Sequence, residues 1–372
     1  MIGQKGVPAT FGGVERYVDE VGGRLARRGH DVTVYCRRHY TVPEIASHRG
    51  MRIVMLPSIN TKHLDAITHT ALSTLHALGS GYDIVHYHAL GPSTLAFGPQ
   101  LTGARVVSTC HGLDWMRKKW GRGAGFMLKR AEWASARFPH LLITVSRTLK
   151  DYFDRRFGID AVHVPNGVEV PDRLAPPDLI GEKHGLSAES YVLFMARLTP
   201  EKGCHTLIDA FRDLETDARL VVAGGSSHTD RYVESLRERA SGDGRILFTG
   251  YVTGAEKEEL LSNAAAYVLP SDLEGLPIGL LEGMAYGRCC VASDIPENLE
   301  VIDGDGDPVG VSFVAGDAQS LRRTLAEVLR DRKRAGALGE AARDFVRRRH
   351  DWDAVALKIE SLYGEVLAAK RR

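Results

Sequence analysis

The sequence predicts an α/β protein of two domains, each a doubly wound parallel sheet with helices on both faces. Its 372 residues suffice for two domains at about 100 to 200 residues each. Short β-branched runs alternate with helical stretches through both halves, which is typical of covered parallel sheets. A proline-rich segment, "VPNGVEVPDRLAPPDLIG" (164–181), separates the two halves and serves as the predicted linker.

The predicted strands are apolar runs that end in loops. In the first half they are "HDVTVYC", "GMRIVMLPS", "YDIVHYH", "ARVVSTCHG", "HLLITVS" and "AVHVPNG". In the second half they are "YVLFMARL", "RLVVAGG", "RILFTGYV", "AAYVLPS", "RCCVASD" and "GVSFVAG". We therefore expect domains at 1–170 and 171–350. A final helix at 351–372 carries an apolar stripe, and we expect it to pack back on the N-terminal domain.

Composition limits the class of protein. The chain is 44% hydrophobic and 26% charged, has no apolar run of about 18 residues and lacks a signal pattern, so we expect a cytoplasmic location. Its five cysteines contain no CxxC pair, which argues against a disulfide framework or a zinc site. Residues 1–172 carry 22 basic against 14 acidic residues, and the remainder carries 26 against 33. The basic half suits an anionic surface or substrate, or is an ordinary solvated surface.

Ligands of open parallel sheets bind beyond the carboxyl ends of the strands, so the loops there are the candidate sites. The first loop, "GQKGVPATFGGVERYV", runs into a helix. Gly12 and Gly13 permit close backbone approach, and the free N–H groups of a helix start favour an anion. The loop lacks the GxGxxG pattern of dinucleotide-binding proteins. Glycines before a helix often serve only to turn the chain.

A second loop, "MARLTPEKGCHTLIDAF", places Arg197 at the end of a strand and Lys202 at the opening of the next helix. Two cations at a helix N-terminus suit a doubly charged group such as a diphosphate. Alternatively, both side chains are solvated or pair with Glu201.

The stretch "SDLEGLPIGLLEGMAYGRCCVASD" holds two glutamates in an otherwise apolar run. Glu274 lies in a predicted loop, whereas Glu282 lies in the second turn of a buried helix that begins near Pro277. A buried carboxylate needs hydrogen-bond donors. The vicinal hydroxyls of a ribose or pyranose are suitable donors, and a cap or salt bridge is the alternative.

Several of these motifs together resemble a known family. "EGLPIGLLEGMAYG" resembles the E-x7-E element of retaining GT-B glycosyltransferases, and "GGVE", "VPNGVE", "ARLTPEKG" and "GYV" stand in the order that family 4 displays. The resemblance covers Gly3 to about Tyr363. It implies the GT-B fold, with two Rossmann-like domains facing across a cleft. "GQKGVPATFGGVERYV" and "HGLDWMRKKWG" further resemble a bacterial subgroup of surface-polysaccharide assembly that includes rhamnosyltransferases.

The resemblance implies a role for each matching residue that would meet the nucleotide. Gly13, beside Gly12, would offer its backbone N–H to the diphosphate of a nucleotide-sugar donor. Arg197 and Lys202 would neutralise that diphosphate as it leaves. Glu282 would hold the ribose hydroxyls.

Further residues match family positions near the transferred sugar. Glu274 would contact the sugar, with backbone N–H groups from Gly275 and Leu276 onward nearby, and His111 would lie near the scissile bond. A satisfied loop histidine is the alternative for His111. Asn166 and Glu169 match a donor-side loop. Leu276 stands where the family commonly has an aromatic residue, so the wall of the sugar pocket should differ.

The implied reaction is transfer of a sugar to a hydroxyl of a glycan or lipid-linked acceptor, with retention. Stabilisation of the departing diphosphate by cations would be its main catalytic effect. We expect no cofactor and no metal. Asp303–Asp307, "DGDGD", lacks the glycine and glutamate that a calcium loop needs at its sixth and twelfth positions, where Pro308 and Val314 stand.

Residues 115–130 interleave basic and aromatic side chains. These are Trp115, Arg117, Lys118, Lys119, Trp120, Arg122, Phe126, Lys129 and Arg130. Such a segment suits peripheral contact with the inner face of an anionic membrane, where a lipid-linked acceptor would lie. No nucleic-acid recognition motif accompanies the basic residues, so we expect no nucleic-acid partner.

Two other classes of function stay open. The chain could be a nucleotide-sugar epimerase or hydrolase of GT-B type, or an inactive GT-B relative that serves as a binding subunit. The sequence also leads us to expect that the native chain begins upstream of Met1, because only Met1 and Ile2 precede the first glycine-rich loop, where a central strand commonly has about five or six residues.

Overall fold

The structure is a computed structural model and describes residues 1–10, 12–40, 45–61, 64–116, 122–227 and 229–369. The chain divides into two compact units. Unit 1 comprises Met1–Asn166 and Trp352–Arg372, and unit 2 comprises Gly167–Asp351.

Unit 1 is built on strands that are parallel except for one short edge strand. They are β1 (Thr33–Arg37), β2 (Ser47–His48), β3 (Met51–Leu56), β4 (Ile84–His88), β5 (Arg105–Cys110), β6 (Leu141–Thr144) and β7 (Val162–His163). One sheet has the order β1-β3-β2, in which the short edge strand β2 is antiparallel, and the other has the order β4-β5-β6-β7 and is wholly parallel.

Residues 1 and 2 lie between these two sheets. Ile2 N donates to His86 O at 2.9 Å and Ile2 O accepts from His88 N at 2.8 Å, while Tyr35 N donates to Met1 O at 3.2 Å. The strand order therefore reverses at residues 1–2, with β1 on one side and β4 on the other. The glycine-rich loop leaves from this point.

Helices cover the sheets of unit 1. They are α1 (Gly13–Arg27), α2 (Asp65–Leu78), α3 (Arg122–Arg137) and α4 (Arg147–Phe157). Helix α1 buries Tyr17, Val18, Val21 and Leu25, the face that the apolar spacing of its sequence predicts. Helix α4 is capped by Ser146, whose hydroxyl accepts from Leu149 N.

Unit 2 contains a six-stranded, wholly parallel sheet with the order β10-β9-β8-β11-β12-β13. Its strands are β8 (Tyr191–Met195), β9 (Arg219–Ala223), β10 (Ile246–Gly250), β11 (Ala266–Leu269), β12 (Cys290–Ser293) and β13 (Val311–Phe313). Its helices are α5 (Asp178–His184), α6 (Cys204–Arg212), α7 (Asp230–Ala240), α8 (Gly254–Asn263), α9 (Ile278–Ala285), α10 (Pro296–Ile302), α11 (Ala318–Arg330) and α12 (Arg332–Arg349). The parallel sheets and alternating helices confirm the predicted α/β fold class.

The last helix, α13 (Trp352–Ala368), belongs to unit 1. Its apolar stripe, led by the buried Trp352 and Ile359, joins the core cluster that contains Tyr17 and Val18 of α1. Arg24 of α1 adds an ion pair to Asp353, with 2.6 Å between Nε and Oδ1.

All five cysteines are free and buried, so they behave as core thiols. None of the helices in the described ranges combines the length and the apolar character needed to span a bilayer.

Candidate active site

The loops that follow β8 and β11 are neighbours in unit 2 because these parallel strands are adjacent, and the strand order reverses between them. Such a reversal opens a crevice at the carboxyl edge of the sheet, where ligands of open α/β sheets bind. Arg197 follows β8 and Glu274 follows β11. Two segments more than 70 residues apart in sequence thus meet at one edge of this sheet.

The sequence placed Lys202 at the opening of a helix, but in the structure it does not begin one. It ends a short 3-10 helix, Pro200–Lys202, and Gly203 separates it from α6. Gly203 adopts φ 66°, and a Cβ atom there would lie 1.8 Å from the carbonyl oxygen of Pro270. The left-handed residue breaks the helix and lets the loop after β8 pack directly on the end of β11.

An ion pair joins the two loops. The Nζ atom of Lys202 lies 2.5 Å from Oε1 of Glu274, and the side chains are 16% and 8% exposed. The sequence had left open a pair between Lys202 and Glu201, whereas the partner is Glu274. The carboxylate oxygens of Glu201 are buried and have no hydrogen-bond partner among the described residues.

Glu282 lies in the second turn of α9, as predicted, and Pro277 is the residue before the helix rather than its first residue. The Oε1 atom of Glu282 lies 2.6 Å from Nζ of Lys257 in α8. The local sequence gave no sign of Lys257, because this residue lies on a different helix with an ordinary charged pattern. Gly275 and Leu276 are both buried in the turn between Glu274 and α9.

Two tyrosines fix the surroundings of Arg197 and α9. The hydroxyl of Tyr267, on β11 beneath α9, donates to Met195 O at 3.0 Å, which joins β11 to the end of β8. The half-exposed Tyr251, from the "GYV" motif, donates to Gly225 O at 3.2 Å and to Ser226 O at 2.9 Å. Burial raises the pKa of the Tyr251 hydroxyl, and the positive charge of Arg197 partly offsets that rise.

In unit 1 the glycine-rich loop is held by carboxylates of α1. Glu15 Oε1 accepts from Lys5 N at 2.9 Å and Asp19 Oδ2 accepts from Ala9 N at 2.9 Å. Gly12 has φ 107°, and a Cβ atom there would lie 2.0 Å from Oε2 of Glu15. Gly12 is therefore needed for this packing, and Gly13 is the first residue of α1. Sequence reasoning took the loop for an anion site and missed the acidic tethers.

His111 follows β5 and belongs to a group of three histidines in unit 1. Its Nε2 atom lies 3.3 Å from Nδ1 of His88, and its ring meets the ring of Tyr17 edge-on, with 4.8 Å between centroids. The ring of His88 in turn stacks near that of His86, with 4.2 Å between centroids. His86 and His88 were not predicted as site residues, although both stand in the strand "YDIVHYH".

The three histidines are neutral in the folded protein. Burial lowers the pKa of His111 to about 3, because the imidazolium form loses its hydration. Burial likewise lowers the pKa of His86 and His88 well below the usual value, and the neighbouring histidines add to that shift. His111 itself is partly exposed, whereas His86 and His88 are buried.

The two predicted residues of the donor-side loop, Asn166 and Glu169, fall on either side of the boundary between the units. Asn166 is buried at the last position of the first segment of unit 1, and Glu169 lies in unit 2. Gly12, Gly13 and His111 belong to unit 1, while Arg197, Lys202, Glu274 and Glu282 belong to unit 2.

The basic and aromatic segment 115–130 is described in part. Arg117, Lys118, Lys119 and Trp120 lie outside the described residues. Nζ of Lys129 lies 4.8 Å from the ring centroid of Trp115, a cation–π contact.

Comparison with known proteins identifies the family. Residues 11–171 match the family Glycosyltransferase Family 4, and residues 179–345 match Glycosyl transferases group 1. The chain is 30% identical to the GDP-mannose-dependent alpha-(1-6)-phosphatidylinositol monomannoside mannosyltransferase of Mycolicibacterium smegmatis, over 95% of each chain. The chain belongs to the GT-B glycosyltransferases. This glycosyltransferase is also 28% identical to the phosphatidyl-myo-inositol mannosyltransferase of Mycobacterium leprae, over 95% of its own length and 93% of the relative.

Solved structures agree on the fold of the glycosyltransferase. Sucrose-phosphate synthase from Thermosynechococcus elongatus superimposes with a TM-score of 0.80 at 23% identity, over 96% of this chain and 94% of that one. Anabaena HepE in complex with UDP and glucose gives a TM-score of 0.78 at 16% identity, over 97% and 98% of the two chains.

The histidine group predicts that unit 1 of the glycosyltransferase is sensitive to acid. An unfolded histidine binds a proton below a pH of about 6.5, whereas the buried rings stay neutral. The contribution of these rings to the free energy of unfolding is therefore fully present above about pH 6.5 and is lost as the pH falls towards 3. His86→Asn removes one of these groups. It should lower the slope of the unfolding free energy against pH, between pH 5.5 and 4.5, by about 1.4 kcal/mol per pH unit.

Urea unfolding followed by tryptophan fluorescence measures this slope, since all four tryptophans belong to the sequence of unit 1. Equal slopes in the wild type and in His86→Asn would show that His86 is protonated in the folded protein.

Proposed function

We propose that this glycosyltransferase moves a sugar from a nucleotide-sugar donor to a hydroxyl of a glycan or lipid-linked acceptor, with retention, in cell-surface polysaccharide biosynthesis. The observation that carries the proposal is the Lys202–Glu274 pair at the crevice of the unit 2 sheet, which brings a cation for a leaving group and a carboxylate for sugar hydroxyls to one place.

The charges of unit 2 suit a departing nucleoside diphosphate. Lys202 has three N–H donors and gives one to Glu274, so others are available to phosphate oxygens. Arg197, in the same loop after β8, supplies a second cation. Because negative charge grows on the diphosphate as the glycosidic bond lengthens, cations fixed beside it stabilise the transition state more than the ground state.

The two carboxylates suit hydroxyl groups. In the proposed complex Glu274 accepts hydrogen bonds from the transferred sugar and Glu282 accepts them from the ribose. Each carboxylate already has a lysine partner, which keeps its charge satisfied in the absence of a ligand. The acceptor hydroxyl then enters on the face that the diphosphate leaves and passes its proton to the departing diphosphate oxygen, which gives retention without a separate nucleophile.

Relatives indicate which donors to test. The mycobacterial relative is named as GDP-mannose-dependent with a phosphatidylinositol mannoside acceptor, and the structurally similar HepE was solved with UDP and glucose. A thermal-shift panel of GDP, UDP, dTDP and ADP identifies the base, since a ligand at about 100 times its dissociation constant stabilises by about 2.7 kcal/mol. Mannose, glucose and rhamnose donors follow, the last because of the resemblance to rhamnosyltransferases.

Product analysis tests the function. Incubation of the best donor with lipid-linked and glycan acceptors should give a product heavier by one sugar, with the anomeric configuration of the donor by NMR. A product with the opposite anomeric configuration would show that the transfer proceeds with inversion and would contradict the proposed retention. Donor hydrolysed or isomerised without an acceptor would indicate the epimerase or hydrolase, and bound but unchanged donor would indicate a binding subunit.

The same assay with EDTA tests the expected independence from metals. Activity should survive chelation, because Arg197 and Lys202 supply positive charge for the diphosphate. Loss of activity that Mg²⁺ or Mn²⁺ restores would assign that role to a metal.

Lys202→Ala and Arg197→Ala should each lower kcat by at least about a hundredfold, because each removes a charge that stabilises the leaving group. Steady-state kinetics with the best donor measure the change. Lys183→Ala is the matched control: it removes a lysine of unit 2 that pairs with Glu256 at 2.8 Å, and it should leave kcat unchanged. Rates of both site variants equal to the wild type would exclude the assigned diphosphate site.

Glu282→Ala should weaken binding of the nucleoside diphosphate at least about tenfold, because the ribose hydroxyls lose a charged acceptor. Calorimetry with the nucleotide alone measures this effect without the chemical step. Glu238→Ala, on the exposed face of α7, removes a carboxylate of the same unit and serves as the control. Unchanged affinity in Glu282→Ala would leave Glu282 with a structural role through Lys257.

The proposed acceptor also implies contact with a membrane. Trp133 of α3 lies one turn beyond Lys129 and Arg130 and is 50% exposed. Its ring packs against Phe138, which also contacts the exposed ring of Phe97, with 5.5 Å between centroids in both cases. Exposed aromatic rings beside cations suit the interface of an anionic bilayer.

The double variant Lys129→Glu and Arg130→Glu should lower binding to phosphatidylglycerol-containing vesicles at least about thirtyfold, since the two lost cations each contribute about 1 kcal/mol near such a surface and the new carboxylates repel it. Vesicle sedimentation measures the partition. The same reversal at Arg322 and Arg323 of α11 changes the net charge equally and should have little effect. Equal losses of vesicle binding in both double variants would show that binding depends on net charge and not on this surface of α3.

A further inference from the structure

His88 contacts the proposed sugar-site histidine from a fully buried position. It ends β4, while His111 follows β5, the next strand in the sheet. The parallel register of β4 and β5 aligns His88 with Thr109, two residues before His111. We propose that His88 is a positioning residue that holds His111 in the tautomer with its proton on Nδ1. This inference rests on the proposed function and on the position near the scissile bond that the family resemblance implies for His111.

The ring of His88 has one hydrogen-bond partner among the described residues, His111, because the neighbouring His86 is engaged elsewhere. Both ring nitrogens of His86 are engaged, Nδ1 with Tyr363 Oη at 2.6 Å and Nε2 with Thr109 Oγ1 at 2.7 Å. His88 uses Nδ1 for the contact with Nε2 of His111 at 3.3 Å. Its own Nε2 is buried without a hydrogen-bond partner among the described residues.

One proton lies between the two rings, because both imidazoles are neutral and a hydrogen bond needs one donor and one acceptor. Two arrangements are available. If His111 donated from Nε2, the proton of His88 would sit on its Nε2 as a buried N–H without an acceptor. If His88 donates from Nδ1, its Nε2 is only an unused lone pair. Buried donors without a partner are the rarer case in proteins, so the second arrangement is favoured.

The consequence concerns what His111 can do. With Nε2 occupied as an acceptor, the proton of His111 is on Nδ1, and the partly exposed ring is a hydrogen-bond donor there. It can donate to a sugar hydroxyl or to an oxygen on which charge develops. It cannot take the proton of the acceptor hydroxyl through Nδ1, so the inference excludes His111 as a general base at that atom.

The tautomer is measured directly. Long-range proton–nitrogen NMR of the full chain labelled with ¹⁵N-histidine distinguishes Nδ1–H from Nε2–H rings, and the His111→Asn spectrum identifies the signals of His111. We expect the Nδ1–H pattern for His111 between pH 6.5 and 8. The Nε2–H pattern would overturn the proposal, and this measurement requires no variant of His88.

Two substitutions of His88 test its effect on turnover. Asn places an amide N–H where Nδ1 stands, so His88→Asn should keep the tautomer and most of kcat. His88→Leu removes the donor, so His111 should show mixed tautomers and kcat should fall about tenfold, the equivalent of one hydrogen bond, with little change in the KM for donor. Tyr363→Phe disturbs His86 without touching the His88–His111 contact and is the matched control.

The outcomes separate this inference from the proposed function. Unchanged tautomer and kcat in His88→Leu would overturn the positioning role, whereas Lys202→Ala would still report on the transfer reaction. Equal losses in His88→Leu and Tyr363→Phe would also overturn it, since the effect would then be general disturbance of the histidine group. Wild-type turnover of His111→Ala would remove His111 from the reaction and leave only the tautomer assignment.

Discussion

The ion pair between Lys202 and Glu274 depends on strand order. Loops that follow adjacent strands of a parallel sheet are neighbours, and a crevice opens between them where the strand order reverses, as it does between β8 and β11 of unit 2. The loop after β8 carries Arg197 and Lys202, and the loop after β11 carries Glu274 and leads into α9. The contact between Gly203 and Pro270 then sets how closely the loops approach. The other site residues of unit 2 take their positions from these two loops.

The pairing explains why an apolar stretch contains two glutamates. A buried carboxylate without a partner is costly, and each of these has a lysine at 2.5 or 2.6 Å. In the proposed reaction the diphosphate draws on Lys202 while sugar and ribose hydroxyls approach the carboxylates. Donor binding would thus exchange internal partners for ligand partners and leave few charges unsatisfied, which lowers the cost of desolvating the site.

The sequence predicted the elements better than the contacts. The strand runs, Glu274 in a loop and Glu282 in the second turn of its helix agree with the structure, because local periodicity and turn residues determine them. Lys257 and His88 were missed, since their partners lie 25 and 23 residues away in sequence. Lys202 was misplaced at a helix start because the left-handed turn at Gly203 has no periodic signature. The carboxylates of α1 that hold the glycine-rich loop were missed for the same reason, since their partners lie 10 residues away in sequence.

The two units differ in the kind of polar group they bury near their loops. Unit 2 presents paired charges, which suit a phosphate-bearing group because long-range attraction and neutralisation dominate its binding. Unit 1 presents neutral imidazoles with lowered pKa values beside Tyr17, and neutral donors suit hydroxyl groups, which carry no charge to neutralise. A protonated histidine in unit 1 would instead favour an anion, because it would carry a positive charge. The burial that keeps His111 neutral therefore suits this loop of unit 1 to uncharged hydroxyl groups.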